Sequence, residues 1–441
     1  MKKLTFVILF MMSFLTPQKE VYALDKQAAV PPDIKAEAAF SIDYDSQQVL
    51  VNKDGDSLRP IASMSKMIGA YILLEAIQNG ELSWEEEVTA SKQAAEISEN
   101  QDLSNVPLIE GNTYTVRELF DALAIYSANS ATIALAEHYA GSETNFIVLM
   151  QNQLDSWGIS DYYIISSTGL NNALVPEEYW YPGTDEEDEN MLSARDTAKV
   201  AHHLVSDFPA YLDLAKVPEM TFRPGQEEEV LMRNYNEMLP GLAYERSGVT
   251  GLKTGTTKGS GASIALTAQE GGRRIIGIIM NAGDGIENKS QRYEASNQLL
   301  DYSFNHFVER SVTLEDFGLP GRIVLLHGQD ESVGLELAEA PTMMLPIETD
   351  LSNWLSEATY HPHLDWDEDK LSAPAIEGME YASYHLQPSL GYLDENQTGP
   401  DIRVLFSETI KSLPGYQIIW NKTINAISSI WQKITTSLSS V

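Results

Sequence analysis

Between residues 38 and 52 the apolar positions alternate. Phe40, Ile42 and Tyr44 fall on one side of a turn suited to Asp45 and Ser46, with Val49, Leu50 and Val51 on the other. A period of two with a polar break predicts a β-hairpin. The period then lengthens. Met64, Met67, Ile68, Tyr71 and Leu74 recur at helical spacing down to Ile77, and Gly80 supplies the stop. Thr115 and Glu118 have the spacing of a capping box, and Leu119, Ala122, Leu123 and Tyr126 form the apolar stripe of the helix it opens. A further helix over about 130–139 ends at Gly141, so Ser127, Ala128 and Asn129 fall on a tight link between two helices. Residues 193–205 again read as helix. Three strand-like runs follow at 249–254, 262–268 and 274–281, divided by glycine-rich turns, and predict an antiparallel meander. Residues 291–309 return to helical spacing.

Beyond residue 312 the apolar segments are short and broken by Gly318, Pro320, Gly328, Pro341, Pro346, Pro374 and Gly391, which predicts a small, mostly β domain over 313–408. The tail over 409–441 differs again. Trp420, Ile424, Ile427, Trp431, Ile434 and Leu438 step four, three, four, three, four along one helical face, while the other face is polar. The expected fold is therefore an α/β-type (α+β) domain over 24–312 with an antiparallel sheet and a helical layer, then the β-rich domain and an amphipathic helix.

Charge separates the tail from the body. The chain carries a net charge of -35, which opposes any phosphate backbone and excludes nucleic acid as a partner. After Glu408 no acidic residue remains, whereas Lys411, Lys422 and Lys433 do. With two tryptophans on its apolar face, that helix suits a membrane surface better than docking on the protein's own acidic body. The acidic run at 184–190 reads as a solvated loop rather than a cation site. There is no cysteine, which removes disulfides and thiolate chemistry. Lys2, Lys3, an apolar stretch over 4–15 and Val21, Tyr22 and Ala23 have the layout of a secretory leader cleaved after Ala23; the stretch is short for a retained membrane span.

Three short motifs occur in order: Ser63–Met64–Ser65–Lys66 at a helix start, Ser127–Ala128–Asn129 between helices, and Lys253–Thr254–Gly255 at a strand end. Each alone is a weak signal; together, in those settings, they describe a nucleophilic serine and its base. Positions three apart share a helix face, so Lys66 reaches the Ser63 hydroxyl. A lysine serves as base once burial and a neighbouring cation lower its pKa, and Lys253 is the candidate cation. A helix N-terminus beside Ser63 favours a developing oxyanion.

These motifs, with Pro60–Ile61–Ala62 before the serine, Thr115–Val116–Arg117–Glu118–Leu119, Ser167–Thr168–Gly169–Leu170, Ser193–Ala194–Arg195–Asp196 and Gly251–Leu252 before Lys253, resemble the serine-type D-alanyl-D-alanine carboxypeptidases, the low-molecular-mass penicillin-binding proteins. The resemblance covers about residues 30–310 and continues more loosely to the tail. It implies a penicillin-recognising serine transpeptidase/β-lactamase-like fold, held extracytoplasmically on the outer face of the cell membrane. It also implies removal of the terminal D-alanine from peptidoglycan stem peptides through an acyl-enzyme on Ser63. In that scheme Lys66 is the general base and Ser127 passes the proton to the leaving D-alanine, with Lys253 tuning the relay. Asn129 bonds the substrate amide, Thr254 of the Lys253–Thr254–Gly255 motif holds the terminal carboxylate, and the backbone N–H groups of Ser63 and Thr256 form the oxyanion hole. β-Lactam antibiotics enter the same route, and no metal or organic cofactor is needed.

The sequence departs from the family in places. Ala128 and Ser130 stand where many members have glycine and aspartate, Thr256 where some have histidine, and the acidic run looks like an insertion. Arg195 and Arg292 occupy family arginine positions, and for Arg195 a structural ion pair is the simpler reading. A class A β-lactamase is set aside because Ala128 replaces the aspartate of Ser-Asp-Asn and the context of Glu177 and Glu178 does not match its water-activating glutamate. A non-catalytic penicillin-binding receptor is set aside because every motif side chain is present. No G-x-S-x-G supports a Ser-His-Asp hydrolase, and His361 and His363 beside Asp365 and Asp367 read as an exposed hairpin rather than a metal site.

Overall fold

The computed structural model describes residues 33–283, 285–347, 351–367 and 369–438, with side chains as far as 435. The leader expected over 1–23 lies outside these described residues. The predicted hairpin forms as β1 (Ala36–Asp43) and β2 (Val49–Lys53), and the predicted meander as β3 (Val249–Thr257), β4 (Gly261–Glu270) and β5 (Arg273–Ala282). All five join one antiparallel sheet in the order β2-β1-β5-β4-β3. The chain's first hairpin thus closes on β5, with Phe40 opposite Ile278 and Ile42 opposite Ile276.

Period two then divides the sheet between two cores. Phe40, Ile42, Ile276 and Ile278 face the helical layer, while Ala39, Val51, Ile275 and Ile279 face the opposite side. A strand covered on both faces has no polar face, which is why β5 reads as a nearly continuous apolar run. The helical layer comprises α1 (Lys66–Asn79), α2 (Lys92–Ser98), α3 (Val116–Tyr126), α4 (Asn129–Ala140), α5 (Glu143–Ser156), α6 (Ala194–Asp207) and α7 (Tyr211–Ala215). The other face is covered by α8 (Gln291–Asn305), through Leu299 and Leu300. Gly80 ends α1 in the left-handed conformation, and both arms of the Thr115–Glu118 capping box are present.

The helical spacing expected to run to residue 309 stops at Asn305. Phe307–Ser311 is a strand paired antiparallel with Thr342–Pro346. Phe307 packs edge-on against Tyr302, so it sits in phase with the helix stripe although its backbone is extended. Pairing with a strand some thirty-five residues away overrides the local period. A seven-stranded sheet over residues 322–406 follows, as the broken apolar segments predicted. The Phe307–Ser311 and Thr342–Pro346 strand pair is tied to the first hairpin by the Gln48 side-chain amide, which donates to the Met344 carbonyl at 2.7 Å. The loop that follows the Glu380–His385 strand is tied to α6 by Arg195, which donates to the Tyr392 carbonyl at 2.9 Å. The tail forms α9 (Gly415–Leu438). Its apolar face does not dock on the body: Ile419, Trp420, Ile427 and Trp431 remain 61–70% exposed. No described helix is long and apolar enough to cross a membrane.

Candidate active site

Ser63 lies in a 3-10 turn, Ala62–Ser65, that runs directly into α1. Ala62 has a positive φ of 47°, and Ser65 closes the turn by donating from its hydroxyl to the Ala62 carbonyl at 2.7 Å. Asn190 secures it from outside. Its carbonyl accepts from the Ile61 N–H at 2.9 Å, and its amide donates to the Ser65 hydroxyl oxygen at 2.9 Å. The turn is therefore fixed before any substrate arrives, and Ser63 is its half-buried member facing the site.

Lys66 is fully buried, and its Nζ has three oxygen neighbours: Ser63 Oγ at 3.0 Å, Asn129 Oδ1 at 2.7 Å and the Thr168 carbonyl at 2.7 Å. The two carbonyl oxygens can only accept. A neutral amine has two N–H donors and one lone pair, so giving both donors to Asn129 and Thr168 turns the lone pair toward the Ser63 hydroxyl. That is the orientation a general base needs. Burial, helped by the positive charge of Lys253, holds the Lys66 pKa well below that of an ordinary lysine; Glu143 acts in the opposite direction. Lys253 is itself buried and, with the Arg292 guanidinium nearby, is pushed down to about 7.

The second motif arrives from α3 and α4. Ser127 caps α3 in the left-handed conformation (φ 60°), Ala128 is extended, and Asn129 begins α4. The Ser127 hydroxyl is buried and has no hydrogen-bond partner among the described residues. A buried hydroxyl without a partner is costly, and a bound group that paired with it would remove that cost. Asn129 is held at both ends, by Lys66 at Oδ1 and by the Ser104 carbonyl, to which its amide donates at 3.0 Å. Ala128 is fully buried in the core behind the link.

The third motif lies on β3. Gly255 passes so near the nucleophile turn that a Cβ there would fall 2.6 Å from the Ile61 carbonyl oxygen. Only glycine permits that approach. Arg292, on α8, clamps this strand to its neighbour β4 by donating to the Gly255 carbonyl at 3.3 Å and Thr256 Oγ1 at 2.7 Å on β3 and to the Ser263 carbonyl at 2.9 Å on β4. Thr254 is 6% exposed. The catalytic and binding candidates thus converge on the mouth between β3, the start of α1 and the α3–α4 link.

Several contributors were hidden in the sequence. The acidic run is only partly solvated. Asp185, Glu186 and Glu187 are exposed, but Glu189 and Asn190 are buried. Glu189 accepts from the Thr257 hydroxyl at 2.6 Å and Asn190 secures the nucleophile turn, so the run's end straps β3 to α1. Nothing in a string of acidic residues marks which one turns inward. Arg195 pairs with Asp56 at 2.6 Å, a structural tie. Glu177 and Glu178 are exposed, the latter paired with Lys92. His361 and His363 lie on the surface of the β-rich part.

A family model described as D-alanyl-D-alanine carboxypeptidase matches residues 25–284. The chain is 28% identical to the D-alanyl-D-alanine carboxypeptidase DacA of Haemophilus influenzae over 320 residues, 71% of this chain and 74% of that protein. It is 23% identical to DacF of Bacillus subtilis, another D-alanyl-D-alanine carboxypeptidase, over 353 residues, 80% of this chain and 82% of that one. Among solved structures, a peptidoglycan synthesis regulatory factor (PBP3) of Streptococcus pneumoniae superposes with a TM-score of 0.64 at 29% identity, covering 85% of this chain and 99% of that one. Penicillin-binding protein D2 of Listeria monocytogenes, in an ampicillin-bound form, superposes with a TM-score of 0.51 at 26% identity, covering 63% and 100%.

Proposed function

The chain belongs to the D-alanyl-D-alanine carboxypeptidase family, and on that premise we propose that Ser63 forms the acyl-enzyme through which it removes the terminal D-alanine of peptidoglycan stem peptides. The observation that carries this reading is the Lys66 amine, buried, lowered in pKa, and held 3.0 Å from Ser63 Oγ with both N–H donors committed elsewhere.

The geometry supports the following course of reaction. Ser63 Oγ attacks the carbonyl carbon between the two D-alanines while its proton moves to Lys66 Nζ. The negative charge on the former carbonyl oxygen is held by the backbone N–H groups of Ser63 and Thr256. As the C–N bond breaks, Ser127 passes a proton to the departing amine and is resupplied from Lys66, with Lys253 setting the potential of that relay. Thr254, beside Lys253 and Gly255, binds the terminal carboxylate. Asn129 orients Lys66 and contacts the substrate amide. Water then adds to the ester, returning Ser63 and a peptide shortened by one D-alanine. A β-lactam follows the acylation half and stays attached. Incubation with a peptide ending in D-Ala-D-Ala should release free D-alanine, and penicillin should stop the release. Unchanged peptide after prolonged incubation would instead favour a non-catalytic penicillin receptor.

The same reading covers the rest of the chain: a leader over 1–23 directing export, a catalytic domain over 24–312, a β-rich domain over 313–408, and a membrane-surface anchor over 409–441. The exposed tryptophans and isoleucines of α9, in a helix that itself carries no acidic residue, support the anchor; Lys422 pairs with Asp367 of the body at 2.8 Å. Deleting residues 415–441 should move the protein from the membrane fraction to the soluble fraction with its peptidase activity intact. Continued sedimentation with membranes would place the attachment elsewhere.

A further inference from the structure

We infer that Glu143 is a positioning residue for acylation, holding the segment whose Thr168 carbonyl aims the Lys66 amine at Ser63. The inference rests on the proposed role of Lys66 as base and adds a residue that no motif contains. Glu143 is the first residue of α5, one turn beyond the end of α4, and it reaches back toward the site. Its Oε1 accepts both the Ser167 N–H at 3.1 Å and the Ser167 hydroxyl at 2.6 Å, and its Oε2 accepts the Gln93 amide at 2.5 Å. Ser167 directly precedes Thr168, whose carbonyl lies 2.7 Å from Lys66 Nζ.

The segment also has bonds of its own and a second outside anchor. Ser166 Oγ accepts from the Thr168 N–H at 3.1 Å and from the Gly169 N–H at 3.2 Å, the latter in the peptide that carries the Thr168 carbonyl, and Asn190 holds Ser166 at its N–H and its carbonyl. Gly169 packs on the Ala62 carbonyl, where a Cβ would come within 1.9 Å. These bonds set the turn's shape and tie it to Asn190, while Glu143 ties it, at Ser167, to α5. Without that tie the turn loses its bond to α5, and the Thr168 carbonyl, moving with the turn, becomes a less firmly placed acceptor for Lys66. Its lone pair then no longer has a single direction. Burial pushes the Glu143 carboxyl up, and both Ser167 bonds converge on one of its oxygens. Glutamine supplies the same acceptor at that place. The geometric role thus predicts that charge is dispensable and shape is not.

The experiment uses the full mature chain with fluorescent penicillin, measuring the second-order acylation rate and the labelled fraction at saturation. It is paired with KM and kcat on a D-Ala-D-Ala peptide. Glu143→Ala should slow acylation about 10- to 100-fold, the scale at which misplacing a reacting group lowers a rate. The labelled fraction and KM should stay near the parent's. Glu143→Gln should restore the rate to within about fivefold, and Ser167→Ala, which keeps the backbone N–H, should fall between the two. Parental rates in Glu143→Ala would overturn the inference. So would a Glu143→Gln as slow as the alanine variant, because charge would then be acting rather than position. A reduced labelled fraction at an unchanged rate constant would also overturn it, as the mark of a merely structural residue. A parent that takes no penicillin at all removes the reading of the site itself, and this inference with it.

Discussion

Lys66→Met should lower the rate of acylation by penicillin about a thousandfold, within the 10²–10⁴ range by which a positioned base contributes. Nothing else in the site replaces the lost lone pair: Asn129 and the Thr168 carbonyl are acceptors with no proton affinity in this range, and Ser127 lacks a partner from which to draw charge. The variant should remain folded, because burying an apolar chain in place of a desolvated amine offsets the two carbonyl oxygens left without a donor. In the parent, acylation should rise with pH as Lys66 gives up its proton, at a pH well below the 10.5 of an ordinary lysine. The sign is fixed: the protonated form has no lone pair, and burial with the Lys253 charge disfavours that form. Lys253→Met removes a positive charge, so the rising limb should move to higher pH. A limb that stays in place, or moves down, would show that Lys253 does not set the Lys66 pKa.

Gly169→Ala should cost on the order of 3–5 kcal/mol of unfolding free energy, read from urea denaturation, and should slow acylation at least tenfold in whatever fraction folds. Two independent causes combine. Gly169 has a φ of +76°, in the region where an L side chain is strained. The added Cβ would also lie 1.9 Å from the Ala62 carbonyl oxygen and 2.7 Å from Ser65 Oγ. Neither neighbour can retreat cheaply, because both belong to the turn that presents Ser63. Gly271 provides the control. It has a φ of +59° but nothing within 4 Å of an added Cβ, so Gly271→Ala should cost only the backbone term, about 1–2 kcal/mol. Equal costs at the two glycines would show that the nucleophile turn yields more readily than its packing implies.

The sequence made legible what is local. The first hairpin, α1 with its Gly80 stop, the Thr115 capping box and the β3–β5 meander each declare themselves within one continuous stretch of chain, because period and cap chemistry act between near neighbours in sequence. The Ser63–Lys66 contact was legible for the same reason, as an i, i+3 pair on one turn. The pairing of β1 with β5 was not, since it joins segments more than two hundred residues apart. Neither were the partners of Lys66 on α4 and in the 166–169 segment, nor Asn190 and Glu189, which the acidic run disguised as surface. Phe307 shows the converse error, where a side chain in phase with a helix belongs to a strand. The site was therefore readable as a set of reacting groups but not as the scaffold that aims them, because the reacting groups sit in short motifs and the scaffold is assembled from distant single residues.

Acylation of Ser63 is the step on which the whole mechanism depends. It is read from the intact mass of the mature protein after mixing with penicillin, beside the same measurement on Ser63→Ala. One added penicillin on the parent and none on the variant is the predicted result. An adduct on both would place the nucleophile elsewhere, and no adduct on either would contradict the assignment of this pocket as an acylation site.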